Sequence, residues 1–159
     1  MITSLDTNVL LDILIPNAKY SQSSKSLIDN AFRKGSLVMS EIVYAELCSK
    51  FPSKNDLDRF LIETGIRLVP SSTDSLYSAS LAWKQYLNAK GKKGEICPQC
   101  GAKLQWTCIK CEERIPVRQH ILSDFLIGGH ALRQADQLLT RDRGYYRTYF
   151  TDLKIVHPA

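Results

Sequence analysis

Short apolar runs alternate with segments of helical periodicity from one end of this chain to the other. No other feature of the sequence narrows the choice of fold so far. Residues 2–5 (ITSL) read as a strand and 9–15 (VLLDILI) as a short helix with an apolar face. A helix over 21–34 stops at Gly35, a residue suited to helix ends, and LVM at 37–39 is a brief buried strand. Ser40 has the chemistry of an N-cap for a helix reaching about Lys50. A helix over 54–64 ends at Gly65, and IRLV at 66–69 is a strand. Over 73–90, Leu76, Ala79, Trp83, Tyr86 and Leu87 fall at helical spacing. Periodicity returns from about 120 to 135, followed by a strand at 138–140, a helix or turn at 142–150 and a strand at 153–156. The alternation predicts an α/β domain with a mostly parallel sheet covered on both faces. A chain of 159 residues is one ordinary domain. At about that size roughly two-thirds of the unfolded surface is buried, so no disulfide is needed to hold a core.

No stretch approaches the roughly 20 apolar residues of a membrane span. The opening MITSLDTNVLLDILI has neither the basic segment nor the small-residue cleavage site of a signal peptide, so a cytoplasmic protein without a membrane role is expected. Lys plus Arg number 21 and Asp plus Glu 16, a net charge of +5. That mild excess suits a nucleic-acid partner without demanding one.

Ligand sites in open parallel sheets lie beyond the carboxyl ends of the strands. Asp6 directly follows the first strand, and Asp142 follows the LLT strand by one residue. Asp124 opens the helix after 120, and Glu46 lies within the helix after the second strand. Four carboxylates from four segments can therefore meet at one sheet edge. Together they would need a compensating hard divalent cation, Mg²⁺ or Mn²⁺. Such an ion suits phosphodiester hydrolysis. Taken singly, Asp6, Asp124 and Asp142 also read as helix caps and Glu46 as a solvent-facing charge.

Four segments carry a family resemblance. LDTNVLLDIL resembles the opening of the PIN-domain nucleases, whose first Asp falls at Asp6. SEIVYAELC resembles their second motif, with its Glu at Glu46. SDFLIGGHAL resembles the third, with its Asp at Asp124. LLTRDRGYYRTYFTDLKIVHP resembles the C-terminal motif, with Asp142 and the polar Thr140. The match is closest to the VapC-type toxins of toxin–antitoxin pairs and covers the chain except roughly 91–118. It implies a three-layer PIN-like fold and an endoribonuclease using Mg²⁺ or Mn²⁺ held by Asp6, Glu46, Asp124 and Asp142. It also implies supporting roles for Asn8 and Thr140, a homodimer, and a small antitoxin partner. Asn8 stands where haloacid-dehalogenase phosphatases carry a second Asp, which argues against an aspartyl-phosphate mechanism. A housekeeping PIN nuclease of RNA maturation, and an inactive PIN scaffold binding RNA or protein, are the alternatives.

Residues 91–118 (GKKGEICPQCGAKLQWTCIKCEERIPVR) break the periodicity and read as an insertion into a PIN domain formed by 1–90 and 119–159. Cys97, Cys100, Cys108 and Cys111 have the spacing C-x₂-C-x₇-C-x₂-C and resemble a zinc-ribbon-like knuckle pair closing on one structural Zn²⁺. Redox disulfides or iron are the other readings. Trp106, Lys92 and Lys93 are candidates for RNA contact there, a partner contact or a structural staple being the other uses of the insert. Arg141, Arg143 and Arg147 flank Asp142 as candidate phosphate contacts, or as a solvated basic face. Asp12 reads as structural, Asp136 as lying at the wrong sheet edge, and Asp29, Asp56, Asp58 and Asp74 as caps and solvated faces. His130 reads as structural, and Cys48 as a small packed hydrophobe.

Overall fold

The computed structural model describes residues 1–15, 19–90, 95–96, 103–104, 107, 109–112, 122–142 and 144–158. Its elements in chain order are β1 (Ile2–Leu5), α1 (Thr7–Leu14), α2 (Ser21–Lys34), β2 (Ser36–Met39), α3 (Glu41–Cys48), α4 (Lys54–Thr64), β3 (Ile66–Leu68), α5 (Thr73–Lys90), β4 (Glu95–Ile96), β5 (Lys103–Leu104), α6 (Leu122–Gln134), β6 (Gln137–Leu139), α7 (Tyr145–Tyr149) and β7 (Ile155–Val156). Five strands form one sheet in the order β3-β2-β1-β6-β7, and every neighbouring pair is parallel. The short β4 and β5 pair antiparallel to each other in a separate sheet.

Local chemistry accounts for the element ends. The Ser40 hydroxyl accepts the Val43 amide at 3.4 Å and caps α3. Ser53 does the same for α4, accepting from Asp56 N at 3.3 Å. α4 closes on Gly65 with φ 66°, left-handed backbone that a side chain would strain. Thr7 already belongs to α1, so that helix starts two residues earlier than its apolar run suggests, directly behind β1.

α2 lies beside α1 and against β2, while α6 rests on β1 and β6 and is itself covered by α5. The core is continuous across these layers. Leu5, Val9, Leu10, Leu37, Met39, Val43, Leu47, Leu57, Phe125, Ile127, Leu138 and Leu139 are buried in it. Each such side chain contributes about 1.5–3 kcal/mol relative to exposure. Phe125 gathers a ring cluster, with Trp83 and Tyr145 edge-on at 4.9 Å each. α5 and α6 approach closely at Gly129 of α6, where a Cβ would stand 2.4 Å from Ser75 O, while Gly128 makes room for the Phe150 ring. Among the described residues no helix is long and apolar enough to cross a membrane.

Cys48 departs from its expectation. It is exposed, because it is the last residue of α3 and the buried side of that helix runs through Val43 and Leu47. Asp136 lies where expected: its Oδ2 accepts the Ile2 amide at 2.6 Å, at the start of β1.

Candidate active site

β1 has β2 and β3 on one side and β6 and β7 on the other, so the strand order reverses across β1 and β6. A crevice forms beyond the carboxyl ends of strands at such a reversal. Asp6 follows β1 and Thr140 follows β6 at that place. The register Leu5 to Leu139 puts the two residues side by side, and Asp6 N donates to Leu139 O at 3.0 Å.

Asp6 is 5% exposed. Three donors from two parts of the chain converge on its Oδ2: Thr140 Oγ1 at 2.5 Å, Asn8 Nδ2 at 2.6 Å and the Tyr146 hydroxyl at 3.4 Å. The carboxamide of Asn8 works from both ends, since its Oδ1 accepts the Arg141 amide at 2.9 Å. Thr140 Oγ1 in turn accepts the Asp142 amide at 3.0 Å. One network therefore orients Asp6 and ties the start of α1 to the segment after β6.

Glu46 reaches the same region from α3. The Thr7 hydroxyl donates to its Oε2, linking α1 and α3 across the cleft. Asp124 stands in the first turn of α6, and both it and Glu46 are half-buried. Their charges act on Asp6, whose carboxyl is pushed up from 3.8 to about 6. Burial is the largest cause; the Asp124 and Glu46 charges add to it, and the Thr140 hydroxyl and Thr7 amide oppose it. Asp142 joins through the tyrosines of α7. Burial, followed by the charges of Asp6, Asp124 and Asp142 among others, holds the Tyr146 phenol well above its usual value. That phenol remains a donor at any working pH.

Asp142 also has a structural task. Its Oδ1 accepts Gly144 N at 2.9 Å and Tyr145 N at 2.7 Å, so it caps the start of α7. The cap and the site position coexist in one residue. Among the described residues, no three His, Cys, Asp or Glu side chains stand close enough to enclose one metal ion. The acids are electrostatic neighbours rather than a closed cage.

The remaining candidates are placed as follows. Arg141 turns inward: its Nε lies 3.4 Å from Asp12 Oδ2, and its Cζ lies 5.3 Å from the centre of the Tyr20 ring. Asp12 is 3% exposed and also accepts the Ser24 hydroxyl at 2.6 Å, which gives it a structural place. Arg147 is exposed on α7. His130 is fully buried with Nε2 2.9 Å from Val69 O, and burial lowers its pKa. Lys92, Lys93, Trp106, Arg143, Cys97, Cys100 and Cys108 lie outside the described residues. Cys111 is described, and is exposed and outside any disulfide. Thr7 and Tyr146 are members of the network that the sequence reading passed over. Thr7 lies between two motif residues, Asp6 and Asn8, and Tyr146 lies within the C-terminal motif with no role assigned to it.

No protein-family model matches the chain, and no curated protein matches it in sequence. Solved structures do match in shape. VapBC2 from Rickettsia felis, bound to a DNA fragment from its promoter, aligns at TM-score 0.60 and 20% identity over 99% of this chain and 98% of that one. VapBC-1 from nontypeable Haemophilus influenzae aligns at 0.60 and 20% over the same shares. VapC20 of Mycobacterium tuberculosis, described as a sarcin–ricin loop cleaving toxin, aligns at 0.51 and 12% over 96% of this chain and 98% of that one. The likeness is one of fold, and the fold this chain shares with them is the α/β PIN-like fold of the VapC toxins.

Proposed function

We propose that the protein is a divalent-metal-dependent endoribonuclease, the toxin of a VapBC-type toxin–antitoxin pair. The observation that carries the reading is Asp6. It is a buried carboxyl group at the strand-order reversal, and the charges of Asp124 and Glu46 help raise it to about 6. Leaving several acids in one crevice costs stability, and a site for a hard cation gives the cost a purpose.

The donor set fits Mg²⁺ or Mn²⁺. Asp6, Glu46, Asp124 and Asp142 offer only oxygen, and an ion that keeps several waters needs few direct carboxylates and no closed cage. When bound, such an ion supplies Lewis-acid polarisation of a phosphoryl oxygen. The chain's own part is orientation. Thr140 and Asn8 hold Asp6 through Oδ2, Thr7 holds Glu46, and the α7 cap fixes Asp142. A small antitoxin partner belongs to the same proposal, supported by the VapBC complexes among the structural neighbours, and a homodimer is proposed on the family resemblance alone. A structural Zn²⁺ on Cys97, Cys100, Cys108 and Cys111 is proposed on their spacing alone.

The test is cleavage of purified tRNA and rRNA in Mg²⁺ or Mn²⁺ by wild type and by folded Asp124→Asn. Discrete cuts that need the metal and the aspartate are expected. RNA that is bound but left intact under all metal conditions would sink the nuclease reading.

A further inference from the structure

A cluster of two cations and an aromatic ring stands next to the acid site. Tyr20 precedes α2, which runs into the start of β2, so its ring lies at the same sheet edge as Asp6. Lys19 Nζ lies 5.0 Å from the centre of that ring and Arg141 Cζ 5.3 Å, both within cation–π range. Arg141 is joined to the acid site directly, its backbone amide being bound by the same Asn8 that donates to Asp6.

The arginine is set in orientation. Asp12, almost wholly buried and fixed by Ser24, engages the guanidinium from its Nε side. Four of the five guanidinium N–H donors sit on the two Nη nitrogens, and the side chain is 35% exposed. A guanidinium held near a ring and ion-paired on its Nε side loses little freedom on meeting a planar or tetrahedral anion. The first turn of α2 contains no acidic residue.

We propose that Lys19, Tyr20 and Arg141 form a subsite for the phosphodiester backbone of single-stranded RNA beside the acid cluster. The proposal rests on the ribonuclease reading and gives it a substrate path. A crevice of carboxylates repels phosphate, so a strand needs a cationic hold next to it. Aromatic and guanidinium faces add stacking that an unpaired base accepts. Continuity with the acid site through Asn8 favours RNA over an acidic protein as the occupant.

The test uses the full-length chain carrying Asp124→Asn, so that RNA is bound without being cut. A 5′-fluorescein 20-nucleotide RNA of mixed sequence is titrated by anisotropy at several salt concentrations. Lys19→Ala and Tyr20→Leu are each added, along with the double change Asp12→Asn/Arg141→Gln, which leaves no buried unpaired charge. Each should weaken binding about fivefold or more, with unchanged circular dichroism. Lys19→Ala should also flatten the slope of log K against log salt by about 0.7. Unchanged affinity and slope in folded Lys19→Ala and Tyr20→Leu would overturn the subsite while leaving the ribonuclease reading in place. No RNA binding by the parent would overturn both. Poly-glutamate competing as well as RNA of equal charge would assign the cluster to an acidic protein and also overturn it.

Discussion

Thr140 donates its hydroxyl to Asp6 Oδ2 at 2.5 Å and accepts the Asp142 amide at 3.0 Å on the same oxygen. One small side chain between two strand ends thus relates two candidate metal carboxylates. Thr140→Val keeps the shape and removes both bonds and the one accepted from Asn8 Nδ2 at 3.1 Å, whereas Thr140→Ser keeps the hydroxyl. The valine variant should cleave RNA about 10- to 100-fold more slowly, the scale found for residues that orient metal ligands. The serine variant should stay within a few-fold of wild type. Single-turnover rates at saturating Mg²⁺ check this; equal rates for valine and serine would remove Thr140 from the site.

The metal-free protein should become less stable as pH rises from 4 to 7. The folded chain keeps a proton on Asp6 up to about pH 6, whereas the unfolded chain releases it near 3.8. Stability from that proton is complete below the lower value and is lost as pH passes the upper one. The shift corresponds to about 3 kcal/mol. Asp6→Asn is neutral throughout, so it should flatten the slope and melt above wild type at pH 7 in EDTA while losing cleavage. Denaturant titrations at three pH values decide it, and parallel pH slopes for the two proteins would count against the buried acid. Added Mg²⁺ should narrow the gap between them.

Asp142 has two tasks that one pair of variants separates. Asn keeps an oxygen for the Gly144 and Tyr145 amides and drops the charge; Ala drops both. Asp142→Ala should lose about 1 kcal/mol of stability, the usual value of a cap, and Asp142→Asn little. Both should lose cleavage if the charge serves the metal. Melting curves beside cleavage assays read the two roles apart.

The α5–α6 contact should resist added volume. A Cβ at Gly129 would meet Ser75 O at 2.4 Å and Ala79 Cβ at 2.9 Å, both on α5. Gly129→Ala should cost about 1–3 kcal/mol, because the helices must separate. Gly144→Ala is the control, with nothing within 4 Å of its Cβ position. Calorimetric melts should show a lower midpoint for the first variant only.

Much of the scaffold was readable because its signals are local. Gly35 and Gly65 end α2 and α4 where the helical pattern stops, and Ser40 caps α3. The neighbourhood of Asp6 and Thr140 followed from strand ends in a parallel sheet. Side-chain direction did not. Arg141 looks like a surface cation in a basic run, yet Asp12 and Tyr20, more than a hundred positions away, draw it inward. Tyr146 is indistinguishable by pattern from its core neighbour Tyr145, and only the packed fold brings its hydroxyl to Asp6. Cys48 failed as a packed hydrophobe because periodicity does not say where a helix leaves the core.

The placement of β1 also orders events in time. It precedes its four sheet partners in the sequence, and at the centre of the sheet it pairs with the much later β6. β1, β2 and β3 can pair while the rest is being translated, but Thr140 and Asp142 are then still inside the ribosome. The candidate site is therefore unfinished until β6 has joined β1 and brought Thr140 and Asp142 beside Asp6.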